Sequence, residues 1–357
     1  MRKTAIVKDE RYLNHLPGKW HPESPERLKA IYAMLEHPEM AGIFLNLPAR
    51  RATKEELLRI HSTRHVDMIL ATAGKGYRSL DPDTAVSEGS CEAALLAAGG
   101  MCDAISAVLS GEIDNAFTLV RPPGHHAEHS RGMGFCLFNN LAVGARHAQI
   151  SHGIKRVLVV DWDLHHGNGT QHSFEEDPTN LYFSTHQYPY YPGSGASEQI
   201  GRGSGEGFTV NVPLSPGKGD GEYIAVFERI LKPIALEFDP DLILVSAGFD
   251  IHADDPLGGM RVTSNGFAGL TRIIMGIADA CCAGRVVMTL EGGYELKGLS
   301  SSVKAVIREM AGISDPLAQQ ALTPSEEESI EGIVGRAVKV HGRFWKNLTR
   351  TNQKIEK

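Results

Sequence analysis

The sequence predicts an α/β fold: one domain with a central, mainly parallel sheet flanked by helices. Two observations carry this prediction. Runs such as Arg156-Val157-Leu158-Val159-Val160, Leu242-Ile243-Leu244-Val245 and Val286-Val287-Met288 are continuously apolar, as in strands buried on both faces of a parallel sheet, which need helices on either side. Each run also gives way to a polar cluster, and ligand sites in open α/β sheets lie beyond the carboxyl ends of the strands. The 357 residues could hold two domains by length, but α/β folds of this size often form one unit with a large core.

Taken in order, Thr4 to Val7 reads as a first strand. Trp20-His21-Pro22-Glu23-Ser24-Pro25-Glu26-Arg27 opens a helix, with Ser24 as N-cap and Pro25 at the first helical position. Capping accounts for Ser24 and Pro25 but not for His21 or Arg27. Residues 54–73 carry helical periodicity broken between Ile60 and His65, with Thr63 as a second cap and His61 and His65 read as structural. The Ala-rich run from Gly89 to Leu109 is one long buried helix, Ala116 to Val120 a strand, and Asn139 caps a helix reaching about Gln149. Leu181 to His186 is another strand. Gly201 to Gly207 looks like a phosphate loop but enters a strand at Phe208, so it lacks the helix N-terminus that phosphate binding uses and reads as a connection. A strand over Asp241 to Asp250, with a carboxylate at its carboxyl end, and another over Arg285 to Leu290 complete the set.

Residues 323–350 are expected to form a C-terminal packing helix within a single domain spanning 1–357. Thr323-Pro324-Ser325-Glu326 has the form of a capping box, and Ile330, Ile333, Val334, Ala337, His341, Phe344 and Leu348 keep helical spacing. Its alternative use is a contact with a partner or a second copy of the chain.

Composition narrows the function. Net charge is −7, from 36 Lys and Arg against 43 Asp and Glu, which argues against direct nucleic-acid binding but allows a basic peptide or polycation as substrate. The five cysteines, Cys91, Cys102, Cys136, Cys281 and Cys282, form no C-x-x-C pair and no even framework. A reduced, cytoplasmic setting is expected. The first residues hold no apolar leader and no run has membrane length, so no membrane role is expected.

Chemistry concentrates after the strands. Asp161-Trp162-Asp163-Leu164-His165-His166-Gly167-Asn168-Gly169 follows the Arg156 to Val160 run. Side chains two apart on a strand share a face, so Asp163 and His165 can aim a carboxylate and an imidazole at one point, a pair suited to zinc or a similar divalent ion. Taken alone, the pair is equally compatible with helix capping. Arg121-Pro122-Pro123-Gly124-His125-His126-Ala127 again puts polar groups past a strand, in a turn held by two prolines and a glycine. Adjacent histidines are poor chelators from one helix face, but they suit a pair in which one neutral imidazole takes a proton while its neighbour holds charge. Gly132-Met133-Gly134-Phe135-Cys136 then offers glycines that admit a ligand to the backbone and an aromatic wall.

Together, Arg121-Pro-Pro-Gly-His-His-Ala, Gly134-Phe-Cys and Asp161-x-Asp163-x-His165-His-Gly-Asn168-Gly resemble the histone deacetylase superfamily, which also contains acetylpolyamine amidohydrolases and acetoin-utilisation proteins. The resemblance runs from the His21 to Arg27 segment to Glu291-Gly292-Gly293-Tyr294, and so covers most of the chain. It implies the three-layer arginase/deacetylase-like fold, with Asp163, His165 and Asp250 as zinc ligands. Three ligands keep positions open for water and substrate, as a catalytic site requires. His126 is the expected base and then acid, His125 an electrostatic partner oriented by Asp161, Asn168 the residue orienting His126, and Tyr294 the donor to the developing oxyanion. The division of roles between the two histidines comes from the resemblance alone. It also implies channel walls at Phe135 and Tyr191, close backbone at Gly134 and Gly292, and a potassium ion near Asp161, Asp163, His165 and Ser184.

Two departures refine the reading. Asn168 stands where class I deacetylases usually carry Asp and class II-like members commonly carry Asn, so His126 should be less biased towards its charged form. Leu257 stands where polyamine-selective relatives place a Glu, although Asp254 and Asp255 lie near it in sequence. The expected activity is zinc-dependent hydrolysis of an acyl-amide on an acylated lysine peptide or protein, or a similar small acylated amine. The alternatives are an acetylpolyamine or other small-molecule amidohydrolase, and a catalytically silent module that binds acyl-lysine.

Overall fold

The structure, a computed structural model, describes residues 1–314 and 328–355. Its strands in chain order are β1 (Thr4–Val7), β2 (Leu45–Leu47), β3 (Arg78–Ser79), β4 (Ala85–Val86), β5 (Asn115–Thr118), β6 (Val157–Asp161), β7 (Asn180–Gln187), β8 (Thr209–Leu214), β9 (Leu242–Ala247) and β10 (Val286–Leu290). Eight of them form one sheet in the order β2-β1-β5-β10-β9-β6-β7-β8, while β3 and β4 make a separate antiparallel pair. Every pairing in the large sheet is parallel. The sequence prediction of a helix-flanked parallel sheet therefore holds.

Burial on both faces explains the continuous apolar runs. In β6, Val157 and Val159 enter one apolar core with the helix Ser90–Leu109, whereas Leu158 and Val160 enter the other with the helix Ser264–Cys281. Alternate residues thus serve opposite layers, and a polar side chain would be stranded on either face. The helix Ser90–Leu109 is long and apolar enough to cross a membrane by length and composition alone. Its apolarity is accounted for by packing, since Leu96, Ala97, Met101, Cys102 and Ile105 are fully buried within the protein.

Connectivity positions the site. From β5 the chain crosses to β6 and builds outward through β7 and β8, then returns so that β9 and β10 fill the gap between β5 and β6. The four strands expected to carry polar groups at their carboxyl ends are therefore consecutive neighbours at the centre of the sheet.

Several local expectations shift. The second helix of the 54–73 region is capped by Ser62, which accepts the amide of His65 at 3.3 Å, one residue before Thr63. The short edge strand β2 lies outside the sequence expectations. The C-terminal segment is two helices, Glu328–His341 and Lys346–Ile355, not one helix over 323–350, and the Thr323 to Glu326 capping box lies outside the described residues. Gly342 weakens helix continuation, and the amides of Phe344 and Trp345 both turn back to the carbonyl of His341. Trp345 anchors the turn by donating its indole N–H to the carbonyl of Gly207 at 3.0 Å, with its ring between Phe208 and Phe238. Ile330, Val334, Ala337, His341 and Leu348 are buried as their spacing requires.

Candidate active site

The tips of β5, β10, β9 and β6 deliver their polar groups to one small cavity of about 80 Å³. Its walls include His125, His126, Gly134, Phe135, His165, Tyr191, Leu257, Gly292 and Tyr294. Larger cavities of about 560 and 450 Å³ lie elsewhere and contain neither paired histidine, so size does not identify the site.

Asp163, His165 and Asp250 converge, their donor atoms all within 4.8 Å of one another. The geometry differs from a shared strand face, because β6 ends at Asp161 and both residues lie in the following loop. An Asx-type turn does the aiming instead: Asp163 Oδ1 accepts the His165 amide at 2.8 Å. His165 Nδ1 then sits 3.1 Å from Asp163 Oδ1 and 3.1 Å from Asp250 Oδ2. The remaining carboxylate oxygens are oriented by backbone, Asp163 Oδ2 by the Gly292 amide at 2.8 Å and Asp250 Oδ1 by the Leu164 amide at 2.9 Å. A Cβ at Gly292 would lie 2.2 Å from Asp250 Oδ2, so only glycine permits this approach.

Electrostatics at this cluster call for a cation. Burial and the neighbouring Asp163 push Asp250 up to about 7, while burial would lower His165 but the two carboxylates outweigh it and raise it to about 9. Two buried carboxylates facing one imidazole, with open space beside them, suit a divalent ion. A second cluster, Glu56, Cys102 and His147, does not fit one. There the Arg50 guanidinium already occupies both Glu56 oxygens at 2.7 and 2.8 Å, and burial pushes the Cys102 thiol up to about 12.

The paired histidines are held in different states. His125 Nδ1 lies 3.1 Å from Asp161 Oδ2, which also accepts the Tyr182 hydroxyl at 3.1 Å, and His125 Nε2 lies 3.8 Å from Asp163. Burial lowers its affinity for a proton, but the carboxylates of Asp163 and Asp161 prevail and raise it to about 10. His126 Nδ1 meets Asn168 Oδ1 at 2.7 Å. Burial, then the charges of His125 and His165, hold it well below the usual imidazole value. Two imidazoles of opposite proton affinity therefore stand side by side, ring centres 4.0 Å apart.

Tyr294 comes from the loop after β10, edge-on to Phe135 at 6.1 Å, with the Arg27 guanidinium 5.0 Å from its ring centre. Phe135 adopts φ 68, a left-handed conformation unusual for an aromatic residue. Its amide donates to Thr84 Oγ1 at 3.0 Å and its ring meets His21 edge-on at 4.5 Å. Tyr191 stands edge-on to His126 at 5.1 Å, and Tyr190 donates its hydroxyl to the Leu257 carbonyl at 2.7 Å. Ser184 faces Asp161 in the β6–β7 register and bonds His186 Nδ1 at 2.9 Å, outside the cavity wall.

Four contributors lay outside the sequence expectations. Arg27 donates to the carbonyls of Gly293 at 2.6 Å and Glu291 at 2.5 Å, and pairs with buried Glu23, which also binds Arg121. Breaking such a buried network typically costs about 3–5 kcal/mol. Glu291 accepts the amides of Gly124 at 2.6 Å and His125 at 3.2 Å, tying the histidine turn to the Tyr294 loop. Asp255 and Glu128 anchor Tyr294 and Asn168 respectively. His21 and Arg27, unexplained by capping, were the available signal for the first of these braces.

The chain belongs to the histone deacetylase family, whose domain model matches residues 21–310. Among particular relatives it is 41% identical to Histone deacetylase 15 of Arabidopsis thaliana, over 99% of this chain and 64% of that protein. It is 42% identical to a probable deacetylase of Archaeoglobus fulgidus, over 87% of this chain and 86% of that one, and 40% identical to Polyamine deacetylase HDAC10 of Homo sapiens, over 91% and 50%. The chain spans about half the length of several curated relatives it matches. The crystal structure of the HDA15 HD domain superposes with a TM-score of 0.92 at 41% identity, covering 99% of this chain and 98% of that one.

Proposed function

We propose that this chain is a zinc-dependent deacylase that removes the acetyl group from Nε-acetyl-lysine or a similarly linear acylated amine. One observation carries the reading: an oriented His126, Tyr294 and His165 line the same narrow cavity, and His165 converges there with the buried carboxylates of Asp163 and Asp250. Zinc held by these three residues would supply Lewis acidity and make water a usable nucleophile near neutral pH. His126 Nε2 takes a proton from the attacking water and returns it to the leaving amine. His125, charged between Asp161 and Asp163, stabilises the developing negative charge, and the Tyr294 hydroxyl donates to the oxyanion. Phe135 and Tyr191 exclude water from a slot that fits a straight alkyl chain. The family resemblance also implies a potassium ion near Asp161, Asp163, His165 and Ser184.

A polyamine substrate is the second reading, prompted by the relative named for that activity. Asp83 lines the cavity, but Asp255, two residues before Leu257, argues against it. Asp255 is buried and spends its carboxylate on the amides of Tyr294, Glu295 and Leu257, which leaves the apolar Leu257 at the cavity wall.

The test is turnover of an acetyl-lysine peptide beside acetylated putrescine and spermidine, with zinc-reconstituted enzyme and a chelated control. Faster, chelator-sensitive cleavage of the peptide supports the lysine reading. Faster cleavage of the polyamines moves the substrate assignment, and binding of acyl peptides without turnover replaces the enzyme with a binding module.

A further inference from the structure

Asn168 poses a problem that an aspartate would not. A carboxylate presents an acceptor to His126 Nδ1 in either orientation, whereas an amide can turn and present N–H instead. The flipped amide would place the imidazole proton on Nε2, the atom that has to accept one. Holding a catalytic imidazole in the wrong tautomer costs up to about 10⁴-fold in rate in the best-studied case, a serine protease.

The surroundings of Asn168 Nδ2 remove that choice. It lies 2.5 Å from Glu128 Oε1, 3.4 Å from the His126 carbonyl and 3.6 Å from Met133 Sδ. Carboxylate, carbonyl and thioether are all acceptors, so a flipped amide would set its oxygen against three of them. Glu128 is the only charged one and the closest. Its backbone is clamped where its carbonyl meets His61 Nδ1 at 2.9 Å and its amide donates to the Arg131 carbonyl at 2.9 Å. Its carboxylate is completed at the surface by His172 Nδ1, at 2.9 and 3.0 Å from the two oxygens. Burial opposes ionisation of Glu128, but the bonds from His172 and Asn168 hold it below the usual carboxylate range.

We infer that Glu128 is a positioning residue that locks the Asn168 amide in one orientation and thereby fixes His126 as the Nδ1–H tautomer, with its Nε2 lone pair turned to the substrate. The inference rests on the deacylase reading for its effect on rate, but the tautomer itself is readable without turnover.

The experiment uses the zinc-loaded 357-residue chain labelled with ¹⁵N-histidine. Long-range ¹H–¹⁵N spectra report the His126 tautomer, assigned by its absence in His126→Ala. Wild type should show Nδ1–H alone. Glu128→Ala, or Glu128→Met if the smaller side chain prevents folding, should show both tautomers and lose at least tenfold in kcat, with KM changed less than about twofold. Adding Asn168→Asp to that variant should restore Nδ1–H and most of kcat, because a carboxylate needs no lock; a merely structural role for Glu128 would not be rescued this way. A folded Glu128 variant that keeps Nδ1–H overturns the inference, as does a double variant that regains neither tautomer nor rate. If wild type hydrolyses no acyl-amide yet its tautomer still depends on Glu128, the deacylase reading falls and the lock stands.

Discussion

Asp255 Oδ2 accepts the backbone amide of Tyr294 at 2.6 Å and that of Glu295 at 3.2 Å. A residue five places beyond Asp250, the aspartate in the loop after β9, thus fixes the loop that leaves β10, and the phenol's position depends on a carboxylate that never meets the substrate. Asp255→Ala removes charge-assisted bonds worth about 1.5–3 kcal/mol each at most. The expected outcome is a lower kcat with unchanged zinc content; a variant with wild-type kcat would show that the Tyr294 loop holds itself.

Tyr294→Phe keeps the ring against Phe135 and Arg27 but deletes the oxyanion donor. Loss of one such donor costs about 2.7–4 kcal/mol, or roughly 10²–10³ in kcat. Zinc content and inhibitor affinity should be retained. An undiminished single-turnover rate would remove Tyr294 from the mechanism.

Asp250→Ala should abolish zinc retention, measured as metal content after dialysis, because only one carboxylate and one imidazole remain at the cluster. Chelation of the wild-type protein should mimic the loss, and added zinc should reverse the chelation but not the mutation. Metal content equal to wild type in the variant would dismiss the proposed ligand set.

Stability should fall on the acid side through buried neutral histidines. Burial pushes His61 down to about 3, and its two nitrogens are committed, Nδ1 to the Glu128 carbonyl and Nε2 as acceptor of the Asn139 amide at 2.9 Å. The ordinary value is about 6.5, so below it the unfolded chain binds a proton that the folded chain refuses. The contribution of His61 is complete above about pH 6.5 and declines as pH falls towards 3, at about 1.4 kcal/mol per pH unit. Glu291, pushed up to about 7 by burial, titrates in the opposite sense. The measurement is therefore the difference in urea stability between wild type and His61→Gln from pH 7 to 4.5, and a pH-independent difference would refute the assignment.

Much of the architecture was legible because burial on both faces imposes an unambiguous composition on β6, β9 and β10. The grouping of Asp163, His165 and Asp250 was legible because each follows such a strand. The aiming of Asp163 and His165 was not, since an Asx-type turn rather than the strand pleat sets it, and sequence periodicity stops where a loop begins. Glu291, Asp255 and Glu128 escaped notice for a different reason. They act on backbone amides or on another side chain's amide across 167, 39 and 40 residues respectively, and no local pattern marks such distant partners. The break at Gly342 was hidden because Leu348 stays in helical register across it.

The order of the sheet also has a consequence for synthesis. As the nascent chain leaves the ribosome, β1, β2 and β5 can assemble, and so can β6, β7 and β8, but no strand pairing joins the two halves of the sheet until residues 242–290 emerge. His125 and His126 then belong to one half and Asp163 and His165 to the other, each half with an open strand edge. The last pair of strands acts as a keystone: it closes both edges in one step, so a truncated translation product has neither a sealed sheet nor an assembled site.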